Sequence, residues 1–256
     1  TSIFYGEGNG KKYYIFYRMN SQIIHRPLEA TIAQKLFKGK VILLYGPRQA
    51  GKTTLLRSVL KQRKEPLLWL NADEPDVRDL LNRPTSVALR HLVGRHRLVC
   101  IDEAQRIPNI GLTLKLFADQ LNAVQVIATG SSSFELADKT SEPLTGRKYE
   151  FRLFPLGFHE LVSHHGLLAE KRFLPHRLIF GGYPEIVMKP EEEQELLPLL
   201  ADSYLFKDIL MMEGLKKPAL LEKIVKALAL QIGNEVSLTE LGSLVGANRG
   251  TVEKYL

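Results

Sequence analysis

Two short stretches hold the residue types from which phosphate chemistry can be built. The first, GPRQAGKT at Gly46–Thr53, fits G-x-x-x-x-G-K-[ST] and joins the apolar run VILLY to the helical pattern KTTLLRSVLKQRK. Its glycines let the backbone curl so that successive N–H groups face a phosphate, and the helix N-terminus adds partial positive charge. The binding set expected from this pattern is Gly46, Pro47, Arg48, Gln49, Ala50, Gly51, Lys52, Thr53 and Thr54. Lys52 would reach the β- and γ-phosphates as a point charge, and the Thr53 hydroxyl would ligate Mg²⁺.

The second stretch, LVCIDEAQRI, carries an apolar run into Asp102 and Glu103. A carboxylate at the C-terminal edge of a parallel sheet stands beside such a loop and can hold the metal, a role for Asp102. Its neighbour points elsewhere, so Glu103 can orient and deprotonate an attacking water. Gln105 is either a further polar contact or a surface amide. In VIATGSSS, Thr129, Ser131, Ser132 and Ser133 reach the end of another strand. They could touch the γ-phosphate or its water, or cap the next helix. Arg147, before KYEF, could stabilise transferring phosphoryl charge in its own subunit or a neighbour's, or could be a surface residue at a turn.

The elements that must position these residues are legible as alternation. Short apolar runs at 41–45, 67–71, 97–102, 124–130 and 148–154 are separated by helical patterns. That pattern predicts an α/β domain around a buried, mostly parallel five-stranded sheet. From about Phe158 the pattern is helical. The domains expected are a leader or non-native extension at 1–18, with a hairpin as its alternative, and a nucleotide-binding core at 19–157. A helical lid region at 158–226 follows, then an incomplete winged-helix segment at 227–256 in a chain that stops before its wing.

Composition is ordinary for a globular chain, with 45% apolar and 25% charged residues. The single cysteine, Cys100, lies in an apolar run, which excludes an intrachain disulfide and fits a cytoplasmic compartment. No run of about 18 apolar residues is present to span a membrane. Net charge is +7, but residues 1–65 hold +10 and residues 191–256 hold −4. The cluster Arg57, Lys61, Arg63 and Lys64 fits the C-terminus of a helix, whose dipole favours cations, better than a nucleic-acid patch. The histidine spacings do not suit metal chelation on a helix. SLTELGSLVGANRGTVEKYL reads as helix, turn, helix, but its acidic surroundings favour a structural or protein-contacting winged helix over a DNA-binding one.

The ordered segments GPRQAGKTTLL, CIDEAQ, TGSSS, LTGR, FPLGFHEL and FGGYPE resemble a prokaryotic ATP-binding family within the AAA-type P-loop ATPases of the additional-strand class. The resemblance, from about Gln22 to Leu256, implies a P-loop NTPase three-layer sandwich with sheet order 5-1-4-3-2, a helical lid, a winged helix and a C-terminal domain of unknown function. It also implies Walker A and Walker B motifs, Asp102 serving Mg²⁺, Glu103 serving water, and a γ-phosphate sensor at Thr129 or Ser131. Arg147 matches the place of an arginine finger, which implies a homo-oligomer if the finger acts in trans. FGGYPE would lie near the lid with no assigned chemistry.

The function expected is Mg²⁺-dependent ATP hydrolysis by water attack, coupled to movement of the lid and C-terminal region. The alternative is a slow nucleotide-gated switch that binds DNA or a protein partner, with turnover incidental. A small-molecule phosphotransferase ranks below both, because an acid poised for water would favour wasteful hydrolysis.

Overall fold

The computed structural model describes the backbone of residues 2–8 and 11–16, and residues 23–130, 140, 142–202 and 217–256. Strands β1 (Ser2–Gly8) and β2 (Lys11–Phe16) pair antiparallel as a two-stranded sheet of their own, so the hairpin reading of this stretch is the one its backbone shows.

The five apolar runs become β3 (Val41–Tyr45), β4 (Leu67–Asn71), β5 (Leu98–Asp102), β6 (Gln125–Gly130) and β7 (Lys148–Arg152). They form one sheet in the order β4-β5-β6-β3-β7, with parallel pairing at every step. Numbered from the first of the five, that is 2-3-4-1-5, the implied order read from the other edge. The central strands β3 and β6 are buried along their whole length, as apolar strands covered on both faces must be.

Because successive strand side chains point to opposite faces, each strand feeds two cores. Leu43, Val99, Ile101, Val126 and Ala128 pack with α3 (Pro75–Leu81), α4 (Ser86–Val93) and α5 (Ile110–Gln120). Ile42, Leu44, Cys100 and Ile127 pack on the other face with α1 (Leu28–Lys35) and α2 (Lys52–Lys61). On α2, Leu55, Leu56, Val59 and Leu60 share one face and are buried, each contributing about 2 kcal/mol of transfer free energy. That burial fixes the start of α2, and hence Lys52 and Thr53, at the end of β3. Cys100 is a buried free thiol, and burial pushes its pKa up.

The chain divides into two compact units, Thr1–Leu197 and Pro198–Leu256. The stretch expected as a lid is therefore split. Its helices Phe158–His165, Leu167–Phe180 and Pro184–Met188 belong to the unit that holds the sheet. In the second unit, helix Pro218–Ala229 packs with Leu238–Val245 and Arg249–Tyr255 around Ile224, Leu241, Val245 and Val252. The turn expected between the last two helices is tight. Gly246 takes φ +72°, and a Cβ on Gly242 would lie 2.6 Å from the Ala247 carbonyl oxygen.

Candidate functional site

The glycine loop leaves the C-terminal end of β3 and runs into α2. Gly46 is required by its neighbour as much as by any ligand. Leu153 N–H donates to the Tyr45 carbonyl at 2.7 Å, which brings the chain after β7 so close that a Cβ on Gly46 would stand 2.2 Å from the Leu153 carbonyl oxygen. Gln49 and Gly51 take φ +60° and +95°, folding the loop around the buried Ala50. No side chain caps α2, so its first N–H groups face outward from a left-handed glycine. Pro47 and Arg48 are half-buried and Thr54 is exposed.

Lys52 is 6% exposed, and its Nζ donates to the carbonyls of Gly46 and Pro47 at 2.8 and 3.1 Å. The ammonium thus lies across the mouth of its own loop. Thr53 Oγ1 donates to Asp102 Oδ2 at 3.1 Å, so residues 49 positions apart meet at one point. A hydroxyl and a carboxylate so close form an all-oxygen donor pair, which suits a hard divalent cation such as Mg²⁺.

The two acids separate as their positions require. Asp102 ends β5 and continues the sheet through its carbonyl, which accepts from Ala72 N–H at 2.9 Å. Glu103 takes φ +53°, ψ +38°, a left-handed conformation that costs a non-glycine residue about 1–2 kcal/mol. Gln105, 5% exposed, donates from Nε2 to Glu103 Oε2 at 2.6 Å. The amide is therefore a buried contact of the second acid and not a surface group.

Thr129, fully buried near the end of β6, joins the pair from beneath. Its hydroxyl donates to Asp102 Oδ1 and accepts from the Glu103 N–H at 3.2 Å. This hydroxyl thus bridges the side chain of one acid and the backbone of the other. Ser131, Ser132 and Ser133 lie outside the described residues.

Arg147 is not brought to this site. Its carbonyl accepts from Val41 N–H at 2.9 Å, at the N-terminal edge of the sheet, and its Nε donates to Asp119 Oδ1 at 2.6 Å. A five-residue strand at about 3.3 Å per residue separates it from its own glycine loop. Within its own subunit Arg147 therefore lies at the opposite end of the strand from the loop.

Two contributions had no assigned role in the sequence reading. Arg26, 8% exposed, donates to Glu160 Oε1 at 2.6 Å, to the Phe154 carbonyl at 2.6 Å and to the Ala50 carbonyl at 3.4 Å. It ties the glycine loop to the start of helix Phe158–His165, where Glu160 also accepts from Gly157 N–H at 2.8 Å. In FGGYPE, Leu156 N–H donates to the Gly182 carbonyl at 2.6 Å, and a Cβ on Gly182 would clash with Leu156 at 2.3 Å. That close approach brings Pro184 to 3.9 Å from the place where a side chain on Gly51 would begin. The motifs FPLGFHEL and FGGYPE carried the signal for Glu160, Gly182 and Pro184, whereas a lone arginine in IIHRPL carried none.

Comparisons with known proteins agree with this geometry. Residues 38–162 match the model of an AAA domain, and residues 171–256 match a domain of unknown function. An uncharacterized protein of Methanocaldococcus jannaschii is 24% identical over 243 residues, covering 88% of this chain and 53% of that protein. An uncharacterized protein of Mycobacterium tuberculosis is 39% identical over 126 residues, 49% of this chain and 27% of that protein. The chain thus spans about half the length, or less, of these relatives. Among solved structures, the Walker-type ATPase PABY2304 of Pyrococcus abyssi superposes with a TM-score of 0.53 at 17% identity, covering 91% of this chain and 90% of that one. At that identity the likeness speaks for the fold, which is the P-loop NTPase α/β sandwich. Sheet order, glycine loop and the two model matches agree with one another: residues 38–162 are similar to an AAA domain, and residues 171–256 to a domain of unknown function.

Proposed function

We propose that the first unit binds ATP with Mg²⁺ at the Gly46–Thr54 loop and hydrolyses it by water attack. The observation that carries this reading is the convergence of Thr53, Asp102, Thr129 and Glu103 in one hydrogen-bonded set. The loop N–H groups and Lys52 bind the β- and γ-phosphates, with Nζ exchanging its two loop carbonyls for phosphate oxygens. Thr53 and Asp102 would hold Mg²⁺, which when bound neutralises charge on the phosphate oxygens. Glu103 accepts the proton of the attacking water, and its left-handed backbone keeps that carboxylate apart from the metal-binding one. Thr129 fixes the angle between them.

Nucleotide occupancy is communicated to the helices beyond the sheet through two neighbours of the loop, Pro184 near Gly51 and the Arg26–Glu160 pair, whose arginine donates to the Ala50 carbonyl. The winged-helix reading of the second unit rests on the helix–turn–helix at Leu238–Tyr255. Arg147 belongs to a neighbour's site in this reading, which makes the active species a homo-oligomer. One observation favours the alternative of a slow nucleotide-gated switch: Gln105 occupies Glu103 Oε2, and a base so engaged abstracts a proton poorly until the amide lets go. Replacing Gln105 by Ala separates the two readings. Faster turnover marks a restrained switch, and slower turnover marks a hydrolase whose base is oriented by the amide.

A further inference from the structure

The edge of the sheet opposite the glycine loop is crowded with cations drawn from separate parts of the chain. Along the order β4-β5-β6-β3-β7, the residues leading into the strands include Lys64, Arg97, none at β6, then Lys40, and Lys148 opens β7. Lys38 and Arg95 flank them in the same connecting loops. Lys38, Lys64, Arg95 and Arg97 are exposed and Lys40 is half-buried, and none of the five pairs with an acid among the described residues.

The helix dipole, expected from the sequence to account for Lys64, does not account for the set. α1 ends at Lys35, α2 at Lys61 and α4 at Val93, so these five cations lie past the last helical turn, where the dipole has faded. They are also held together against their own repulsion. Lys35 and Lys40 stand 5.1 and 5.2 Å from the centre of the Tyr149 ring, so their ammonium groups are within about one screening length of each other. Arg97 lies 5.7 Å over Phe37 in the same region. The rings fix the cations in place and, being already roofed, offer little surface for a base to stack on.

We infer that this edge is a docking surface for the phosphodiester backbone of double-stranded nucleic acid, read without sequence preference. The size fits. Five strands about 4.8 Å apart make an edge of about 19 Å, over which a duplex presents about 11 phosphates. The surface is separate from the nucleotide site, so the inference stands whether or not the chain hydrolyses ATP.

The test is fluorescence anisotropy of a labelled DNA duplex titrated with the full chain across a series of KCl concentrations. Five contacts predict a log–log salt slope of about −4.5, and Lys38→Glu/Lys40→Glu/Arg97→Glu should weaken binding at least about tenfold and remove about 2.7 from the slope. A milder triple replacement by Ala should shift affinity in the same direction, and thermal unfolding of both variants reports whether the fold survives. Lys115→Glu/Lys171→Glu/Arg172→Glu makes the same change in net charge elsewhere on the exposed surface and should leave most of the affinity. Equal weakening by the two charge-reversal triples would overturn the inference, as would no binding at low salt. Competition by polyglutamate as strong as by unlabelled duplex would overturn the nucleic-acid assignment, and an RNA duplex binding as well as DNA would support backbone recognition.

Discussion

The two edges of the central sheet are built from the same strands and differ in chemistry. At the C-terminal edge, β3 opens into a loop of N–H groups and β5 ends in two carboxylates, with their hydroxyl and amide partners buried around them. At the N-terminal edge the strands begin among cations that are mostly exposed, two of them over aromatic rings. The first edge achieves geometry by burial and mutual hydrogen bonding, which suits positioning of reacting atoms. The second holds charge on long side chains with few fixed partners, which suits a backbone read by its charge alone. Arg147 sits on the second edge, so any service it gives to phosphoryl transfer must come from the edge of one copy meeting the loop of another.

That contrast can be broken most sharply at Arg147. If a neighbour supplies it, specific activity of the wild type should rise steeply with protein concentration, and Arg147→Ala should lower turnover by about 10³-fold and abolish that rise. Unchanged turnover would leave Arg147 as the partner of Asp119 and the two edges functionally independent. Lys52→Ala should weaken Mg-ATP binding by about 100-fold in calorimetry, since a charge-assisted phosphate contact is lost from a nearly dry site. Retained affinity would remove the nucleotide from the C-terminal edge.

Smaller effects sharpen how that edge is held. Arg26→Met leaves Glu160 and two carbonyls without their donor, and should cost about 3 kcal/mol of unfolding free energy by denaturant titration. Arg26→Lys should recover part of it, and ATP affinity should follow the loop's integrity. Thr129→Val keeps the shape but removes the hydroxyl between the acids. We expect a stability loss of about 1 kcal/mol and a fall in kcat of about tenfold, with ATP affinity little changed.

What the sequence made legible follows the same division. Lys52, Thr53, Asp102 and Glu103 lie in local patterns whose spacing encodes their geometry, and the strands, being continuous apolar runs, fell within two residues of their observed bounds. Thr129 was visible as a strand-end hydroxyl, but its role depends on the register of β5 against β6, which pairs Ile101 with Ala128 and so sets Asp102 beside Thr129. Arg26 was not legible at all, because Glu160 lies 134 residues away and the pairing exists only once α1, the loop and helix Phe158–His165 are assembled. The cation edge escaped for the same reason. The sequence groups Arg57, Lys61, Arg63 and Lys64 along one helix end, whereas the fold groups Lys40, Lys64 and Arg97 across separate strands.

The central claim is that the two adjacent acids divide metal binding from water activation. It is tested most directly by a single-turnover experiment in which wild type and Glu103→Gln are mixed with limiting Mg-ATP, and bound nucleotide and released phosphate are followed together. Glu103→Gln should retain ATP with an affinity within about threefold of wild type while releasing phosphate at least about 100-fold more slowly. Phosphate release at the wild-type rate by Glu103→Gln would contradict the assignment of the base.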